Sequence, residues 1–261
     1  MKFLDLTAPE LRRLAPEAVA VLPLAAVEQH GEHLAVGTDT LITAEFTRRL
    51  ELARPRQVLA LPVLWAGSSH HHLAFSGTLS LSSETYVRVL GDLIDSLVGS
   101  GFRRIFLLNG HGGNQTPFAE ALYRRGLRRE GVWIAAQSYW KIAAKELAES
   151  GFMETPALSH ACEYETSMML ALDPSLARME LARGARASRA SAFYDPLGAC
   201  SVVVSEPFDQ LTENGALGSP ELATAEKGRR LFDLISPVLE RFIDDFARWP
   251  LPEASPTREA R

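Results

Sequence analysis

Along the first half of the chain, apolar runs of strand length alternate with longer amphipathic stretches. Residues 19–26 (VAVLPLAA), 58–65 (VLALPVLW), 104–108 (RIFLL) and 132–137 are short and continuous in their apolar character. That pattern predicts strands covered on both faces. Between them, Tyr86, Val89, Leu90, Leu93, Ile94 and Leu97 recur at helical spacing and predict a helix over Ser83–Gly99, opened by the cap candidates Ser82 and Ser83. Further helices are predicted over 40–52, 117–128, Glu163–Leu172 and 220–246, with an irregular Gly/Ser/Ala-rich stretch at 183–219. Strand and helix alternating in this way predict an α/β fold of three layers, α/β/α, around a mainly parallel central sheet. No repeat or linker divides the sequence, so residues 1–248 are expected to form a single domain. The proline-rich stretch 249–261 is expected to be a loose tail.

Composition removes several classes of function. Lys and Arg total 27 against 32 Asp and Glu, a net charge of −5, which argues against a nucleic-acid surface. The longest apolar runs, such as 18–27, fall well short of the ~20 residues that span a bilayer. The first residues carry acids and lack the apolar segment of a signal peptide, so a cytoplasmic location is expected. Cys162 and Cys200 are expected to be reduced thiols. The excess of Arg over Lys fits either a thermophilic source or a GC-rich genome, and neither bears on function.

Seven histidines fall in four short stretches: 30 and 33, 70 to 72, 111, and 160. In parallel sheets, ligands bind beyond the carboxyl ends of the strands, where these stretches lie. In an extended segment Glu28 and His30 point to the same side, and Asp39 returns from the start of the next helix. The loop 109–114 (NGHGGN) delivers His111 between glycines, and 160–167 (HACEYETS) adds His160 with Glu163 and Glu165. This mixture of imidazole and carboxylate suits a pair of divalent ions. Each residue also has an ordinary reading: Asp39 as a helix cap, Glu163 and Glu165 as first-turn acids, His160 as a structural histidine, and the glycine loop as a phosphate cradle.

These segments resemble the motifs of the creatininase family of metal-dependent amidohydrolases. The first is 27–39 (VEQHGEHLAVGTD). The second is 72–80 (HLAFSGTLS), with Ser76 where proline is more usual. NGHGGN is the third, and 160–167 the fourth, with Cys162 where glycine is common. They occur in family order between about residues 20 and 172. The resemblance implies a creatininase-like α/β enzyme, homo-oligomeric and often hexameric, with two divalent ions per subunit (Zn, Mn or Fe). By motif, Glu28 and His111 would bind one ion, His30 the other, Asp39 would bridge both, and His160 would pass a proton to the departing nitrogen. Creatininase proper carries a glutamate ligand where Gly113 stands here, so Glu165, ahead of Glu163, is expected to complete the second site. The NGHGGN form resembles the branch that holds formamide deformylases and the mycofactocin precursor peptidase.

The expected activity is hydrolysis of a C–N amide-type bond in a small molecule, whether cyclic amide, formamide or peptide amide, by a metal-bridging hydroxide. Its class would be that of hydrolases acting on C–N bonds other than peptide bonds. The alternatives are a dinuclear phosphoesterase, for which the first and fourth motifs lack a phosphate-holding Lys or Arg, and a non-catalytic metal-binding protein of the same fold. His33 and His72 are expected to orient ligands, His70 and His71 to be exposed loop residues, and Trp140 to flank the substrate. Specificity is expected from 138–160 and 183–219, outside the motifs, and no nucleic-acid or membrane partner is expected.

Overall fold

The computed structural model describes residues 1–126, 131–185, 193–194, 202 and 204–253. Strands β1 (Val19–Leu24), β2 (Val58–Ala60), β3 (Arg104–Asn109) and β4 (Trp133–Ser138) pair in the order β2-β1-β3-β4, and every pairing is parallel. The helices are α1 (Ala8–Leu14), α2 (Thr38–Ala53), α3 (Ser83–Gly99), α4 (Gln115–Gly126), α5 (Tyr139–Ile142), α6 (Ala144–Glu149), α7 (Glu163–Leu172), α8 (Phe208–Leu211) and α9 (Ala225–Phe246).

Alternation along the strands sorts the side chains into two apolar layers. Val19, Val21, Phe106 and Leu108 pack with α2, α7 and α9, whereas Ala20, Leu22, Leu24, Ile105 and Leu107 pack with α3 and α4. Both faces of the sheet are therefore covered, which gives the predicted α/β/α layering. From β1 the chain passes through α2 to β2, and from β3 through α4 on the opposite face to β4. The two paths diverge between β1 and β3, and a crevice at the carboxyl ends of such a pair is where open parallel sheets bind ligands.

Several boundaries differ from the sequence pattern for local reasons. The second strand is shorter than 58–65 because the ladder ends at the Val21–Ala60 pair, just before Pro23 in the neighbouring β1. Pro23 has no N–H to give to β2, so the ladder lapses and resumes only as a single Leu24–Leu64 bridge. The last helix begins at Ala225, where the Thr224 hydroxyl accepts the Lys227 N–H at 3.1 Å; a 3₁₀ turn, Pro220–Leu222, precedes it. Helices α5 and α6 were not predicted, being too short to show a period.

The tail is anchored over its first residues. Trp133 Nε1 donates to the Pro250 carbonyl (2.8 Å), the Gly131 N–H to that of Pro252 (3.0 Å), and the Arg104 guanidinium to that of Trp249 (2.9 Å). Residues 254–261, Cys200 and much of 183–219 lie outside the described residues. Among the described residues no helix is long and apolar enough to cross a membrane.

Phe46 ties α2 to both neighbouring elements, its ring 4.6 Å from that of Tyr139 and 5.0 Å from that of Phe232, with no exposed surface. Phe46→Ala is expected to lower unfolding free energy by about 3–5 kcal/mol in urea titrations. A loss of under ~1 kcal/mol would show that this stack does not hold the layer together.

Candidate metal centre

Glu28 and His30 follow β1 on an irregular extended segment. Val27 bridges Leu79, the Glu28 N–H donates to the Val36 carbonyl (3.0 Å), and Gly31 turns the chain at a φ of 65°. A Cβ at Gly31 would also lie 2.8 Å from His33 Nδ1, so glycine is required there on two counts. The returning chain enters α2, placing Asp39 in its first turn. Asp39 does not cap that helix; its carboxylate turns towards the histidines.

The loop after β3 is held by its two asparagines. The Asn109 amide donates to the His111 carbonyl (2.6 Å) and to Ser138 Oγ (2.9 Å). That of Asn114 donates to the Ala25 carbonyl (3.1 Å), and its oxygen accepts the Ser68 N–H (2.9 Å). These bonds knit the ends of β1, β3 and β4 to the segment around Ser68. Gly110 lets α2 come close, since a Cβ there would sit 1.7 Å from Thr43 Oγ1. His160 precedes α7 on a turn in which the buried Ala161 takes a φ of 48°, left-handed and unfavourable for a residue with a Cβ.

These elements converge on one point. Asp39 spans two histidines, with Oδ1 3.1 Å from His30 Nε2 and Oδ2 3.0 Å from His111 Nδ1. Glu28 Oε1 is 3.2 Å from His111 Nδ1 and 3.5 Å from both His72 Nε2 and His160 Nδ1. Its other oxygen accepts a short hydrogen bond from Ser69 Oγ. Glu165 Oε1 lies 3.9 Å from His30 Nε2. The groups Glu28–Asp39–His111, His30–His160–Glu165 and Glu28–His72–His160 each bring three ligand atoms within 4.8 Å of one another.

Backbone carbonyls orient the rings. His111 Nε2–H donates to the Ser68 carbonyl (3.2 Å) and His30 Nδ1–H to that of Glu28 (3.3 Å), so the remaining nitrogens face the carboxylates. His30 Nε2 and Asp39 Oδ2 are buried, and although each lies about 3 Å from a neighbouring carboxylate or ring (3.1 and 3.0 Å), neither makes an aligned hydrogen bond. Buried polar atoms are rarely left so, and two of them facing one carboxylate cluster fit a cation.

Electrostatics agree with that fit. Burial alone would lower the pKa of His30, yet the charges of Asp39, Glu165 and Glu28 overcome it and raise it to about 9. His111 is raised in the same way by Glu28 and Asp39 against its burial. Burial works to raise Asp39, but His30 and His111 bring it down to about 2. For Glu165, burial wins, helped by Asp39 and Glu28, and its carboxyl is pushed up to about 7. His160 is held well below the usual imidazole value by burial and by His30 and His72. A field that draws protons onto two buried imidazoles is one that holds cations.

The structure brings together Glu28, His30, Asp39, His111, His160 and Glu165, but not Glu163. The Glu163 carboxylate is taken by Lys227 Nζ (2.5 Å) and by the backbone and hydroxyl of Thr155, both at 2.7 Å. His33 touches no carboxylate of the cluster; its Nε2 pairs with Thr166 Oγ1 at 2.9 Å and ties the first loop to α7. His70 is exposed, as expected, but His71 is not: it stacks on His111 with ring centroids 5.7 Å apart and lines the cavity. That cavity, of about 280 Å³, opens onto the cluster and is also lined by Trp140, Gln115, Leu158 and Phe208. Phe208, over the rings of His72 (4.2 Å) and His160 (4.8 Å), was not foreseen, nor were Gln29 and Ser69. Gln29 lies inside the first motif, which is the one signal that would have found it.

The fold is that of solved creatininases. A creatininase described with Mn superposes with a TM-score of 0.78 and 26% identity, covering 95% of this chain and 99% of its own. A variant creatininase of Zn–Zn type gives 0.76 and 25%, covering 95% and 98%. A family model described as creatinine amidohydrolase matches residues 4–243, and the chain belongs to this creatininase family of amidohydrolases. The creatinine amidohydrolase of Pseudomonas putida is 30% identical, over 86% of this chain and 88% of its own length. The 3-dehydro-scyllo-inosose hydrolase of Thermotoga maritima is 27% identical over 97% and 86%. The mycofactocin precursor peptide peptidase of Mycobacterium ulcerans is 29% identical over 88% and 84%.

Gly113 stands where the resemblance to creatininase proper implies a glutamate. A Cβ there would meet the Ser68 carbonyl at 2.2 Å and His111 Nε2 at 2.5 Å, whereas one on Gly112 would meet nothing within 4 Å. Gly113→Ala is therefore expected to displace the His111 ring and lower bound metal per subunit, read by plasma mass spectrometry, while Gly112→Ala keeps it. Equal metal in the two variants would remove Gly113 from this role.

Proposed function

We propose that this protein is a metal-dependent hydrolase of a C–N amide-type bond in a small molecule, with Glu28, Asp39 and His111 holding one divalent ion and His30, Asp39 and Glu165 a second. The observation that carries the reading is the pair of buried atoms without an aligned hydrogen bond, His30 Nε2 and Asp39 Oδ2, set among three carboxylates. Zn, Mn and Fe all suit this nitrogen and oxygen set. Two such ions would supply a Lewis acid for the scissile carbonyl and would acidify a water between them.

The protein's own part centres on His160. Its Nε2–H donates to the Gln29 carbonyl (2.8 Å), which leaves the Nδ1 lone pair facing Glu28. Nδ1 is thus placed to take a proton from the attacking water and return it to the departing nitrogen, a step worth about 10²–10⁴-fold. Trp140 and Phe208 supply flat apolar walls for a compact amide. No Lys or Arg lines the cavity among the described residues, which tells against a phosphoester substrate. The relatives' names span creatinine, a precursor peptide and an inosose, so amide class and exact bond are matters for a substrate panel. A homohexamer, by resemblance, and a cytoplasmic location, as expected from the cysteine content, complete the proposal.

Asp39→Ala and His111→Ala are expected to lose both bound metal and hydrolysis of amides, formamides and cyclic amides, with the circular dichroism spectrum retained. Protein that is purified free of metal and active without it would overturn the proposal. For His160→Gln, metal should stay while turnover falls by about 10²–10⁴-fold; loss of metal instead would make His160 a ligand. Glu165→Gln should lower metal occupancy and Glu163→Gln should leave it unchanged.

A further inference from the structure

Gln29 lies beneath the site, 4% exposed, and its amide is fixed at both ends. The side-chain oxygen accepts the Gly31 N–H at 2.9 Å, and Nε2 donates to the Gly215 carbonyl at 3.0 Å. Turning the amide over would set donor against donor and acceptor against acceptor. Gly215 makes this approach possible, because a Cβ there would fall 2.0 Å from the Gln29 oxygen. With that orientation settled, the second amide hydrogen points at His72 Nδ1, 2.8 Å away. His72 Nδ1 must then accept, and the ring's proton sits on Nε2, which faces Glu28 Oε1 at 3.5 Å. The backbone carbonyl of the same residue accepts His160 Nε2–H at 2.8 Å, which puts that ring's lone pair on Nδ1. The 3.1 Å approach of the amide nitrogen to His160 Nε2 is a contact between two donors, each already directed to another acceptor.

We propose that Gln29 is a positioning residue that holds two stacked histidines in the same Nε2–H tautomer but turned opposite ways, so that His72 directs a proton and His160 a lone pair towards the same oxygen of Glu28. The two rings lie 4.3 Å apart at 27°, with Phe208 against both, so neither can turn over to exchange its nitrogens. A second consequence concerns Glu28–His72–His160. With its proton on Nε2, neutral His72 is no metal donor, and this group is not a third ion site.

The inference rests on the proposed function only for His160's part in the reaction; the tautomers themselves are read without turnover. In protein labelled with ¹⁵N-histidine, proton–nitrogen correlation spectra should show His72 protonated at Nε2 and His160 at Nε2, with Nδ1 bare in both. Gln29→Met keeps the backbone carbonyl and the bulk but removes the amide. It is expected to lose the single His72 tautomer, to leave that of His160 in place, and to lower kcat by about 10–100-fold, the usual effect of removing an outer-shell partner, with KM little changed. His72 protonated at Nδ1 in the unaltered protein overturns the proposal, whether or not any variant folds. So does Gln29→Met with an unchanged His72 tautomer or an unchanged kcat. A protein with the expected tautomers but no hydrolysis of any amide would sink the proposed function and leave this inference standing.

Discussion

Three carboxylates, those of Glu28, Asp39 and Glu165, meet at the carboxyl ends of β1 and β3 with at most 5% of any of these residues exposed. No Lys or Arg stands among the residues that line the space between them. Burying one unpaired charge is already expensive, and burying three together is tolerable only if positive charge arrives from elsewhere. The surrounding structure is arranged around that constraint. Gly110 lets α2 press Asp39 inwards, Asn109 and Asn114 clamp the loop that carries His111, and carbonyls of Glu28 and Ser68 accept the outward N–H of His30 and His111. Each device turns a lone pair towards the same few ångströms. Without cations, the carboxylates raise His30 to about 9 against its burial, and burial, helped by Asp39 and Glu28, pushes Glu165 up to about 7, so protons partly fill the role that divalent ions would take.

Glu163 shows what an ordinary buried acid looks like in this fold. It sits two residues before Glu165 at the start of the same helix, and both are buried. Glu163 has an ammonium, a hydroxyl and two backbone N–H groups on its oxygens, and its pKa falls despite burial. Glu165 has only the distant Cys162 N–H, at 3.4 Å, and a weak thiol contact. One carboxylate is neutralised by the protein, while the other is left facing an imidazole. That contrast, rather than the presence of acids at a helix start, sets Glu165 apart from a structural ion pair.

The sheet was legible because each buried parallel strand is a contiguous apolar run, and the cluster because its residues sit in short motifs at strand ends. What escaped the sequence depends on chain segments that meet only in three dimensions. Phe208, from a four-residue helix, reaches His72 and His160 across more than a hundred residues of chain for the former. His71 looked like one of three loop histidines until the NGHGGN loop folded beneath it. The contraction of β2 required knowing that it pairs with β1 up to the edge of Pro23, which its own segment does not show. Trp249 and the prolines after it read as tail because their partners, Trp133 and Arg104, lie on edge and central strands far back in the sequence.

Gly113 and Glu165 are best understood as one exchange. At Gly113 the loop passes so close to Ser68 that its carbonyl reaches the His111 ring, and any side chain would break that approach. A glutamate on the loop, as in creatininase proper, therefore requires a looser path here and a different hold on His111. Drawing the carboxylate from α7 removes the conflict. The helix fixes Glu165 by its own cap, with one oxygen towards the Cys162 N–H and the other towards His30 Nε2. The loop is then free to close on Ser68, and His111 gains a fixed tautomer from that closure. Under the proposed assignment the tight glycine loop and the helical glutamate would depend on one another: the first leaves a donor position unfilled, and the second would supply it from the opposite wall.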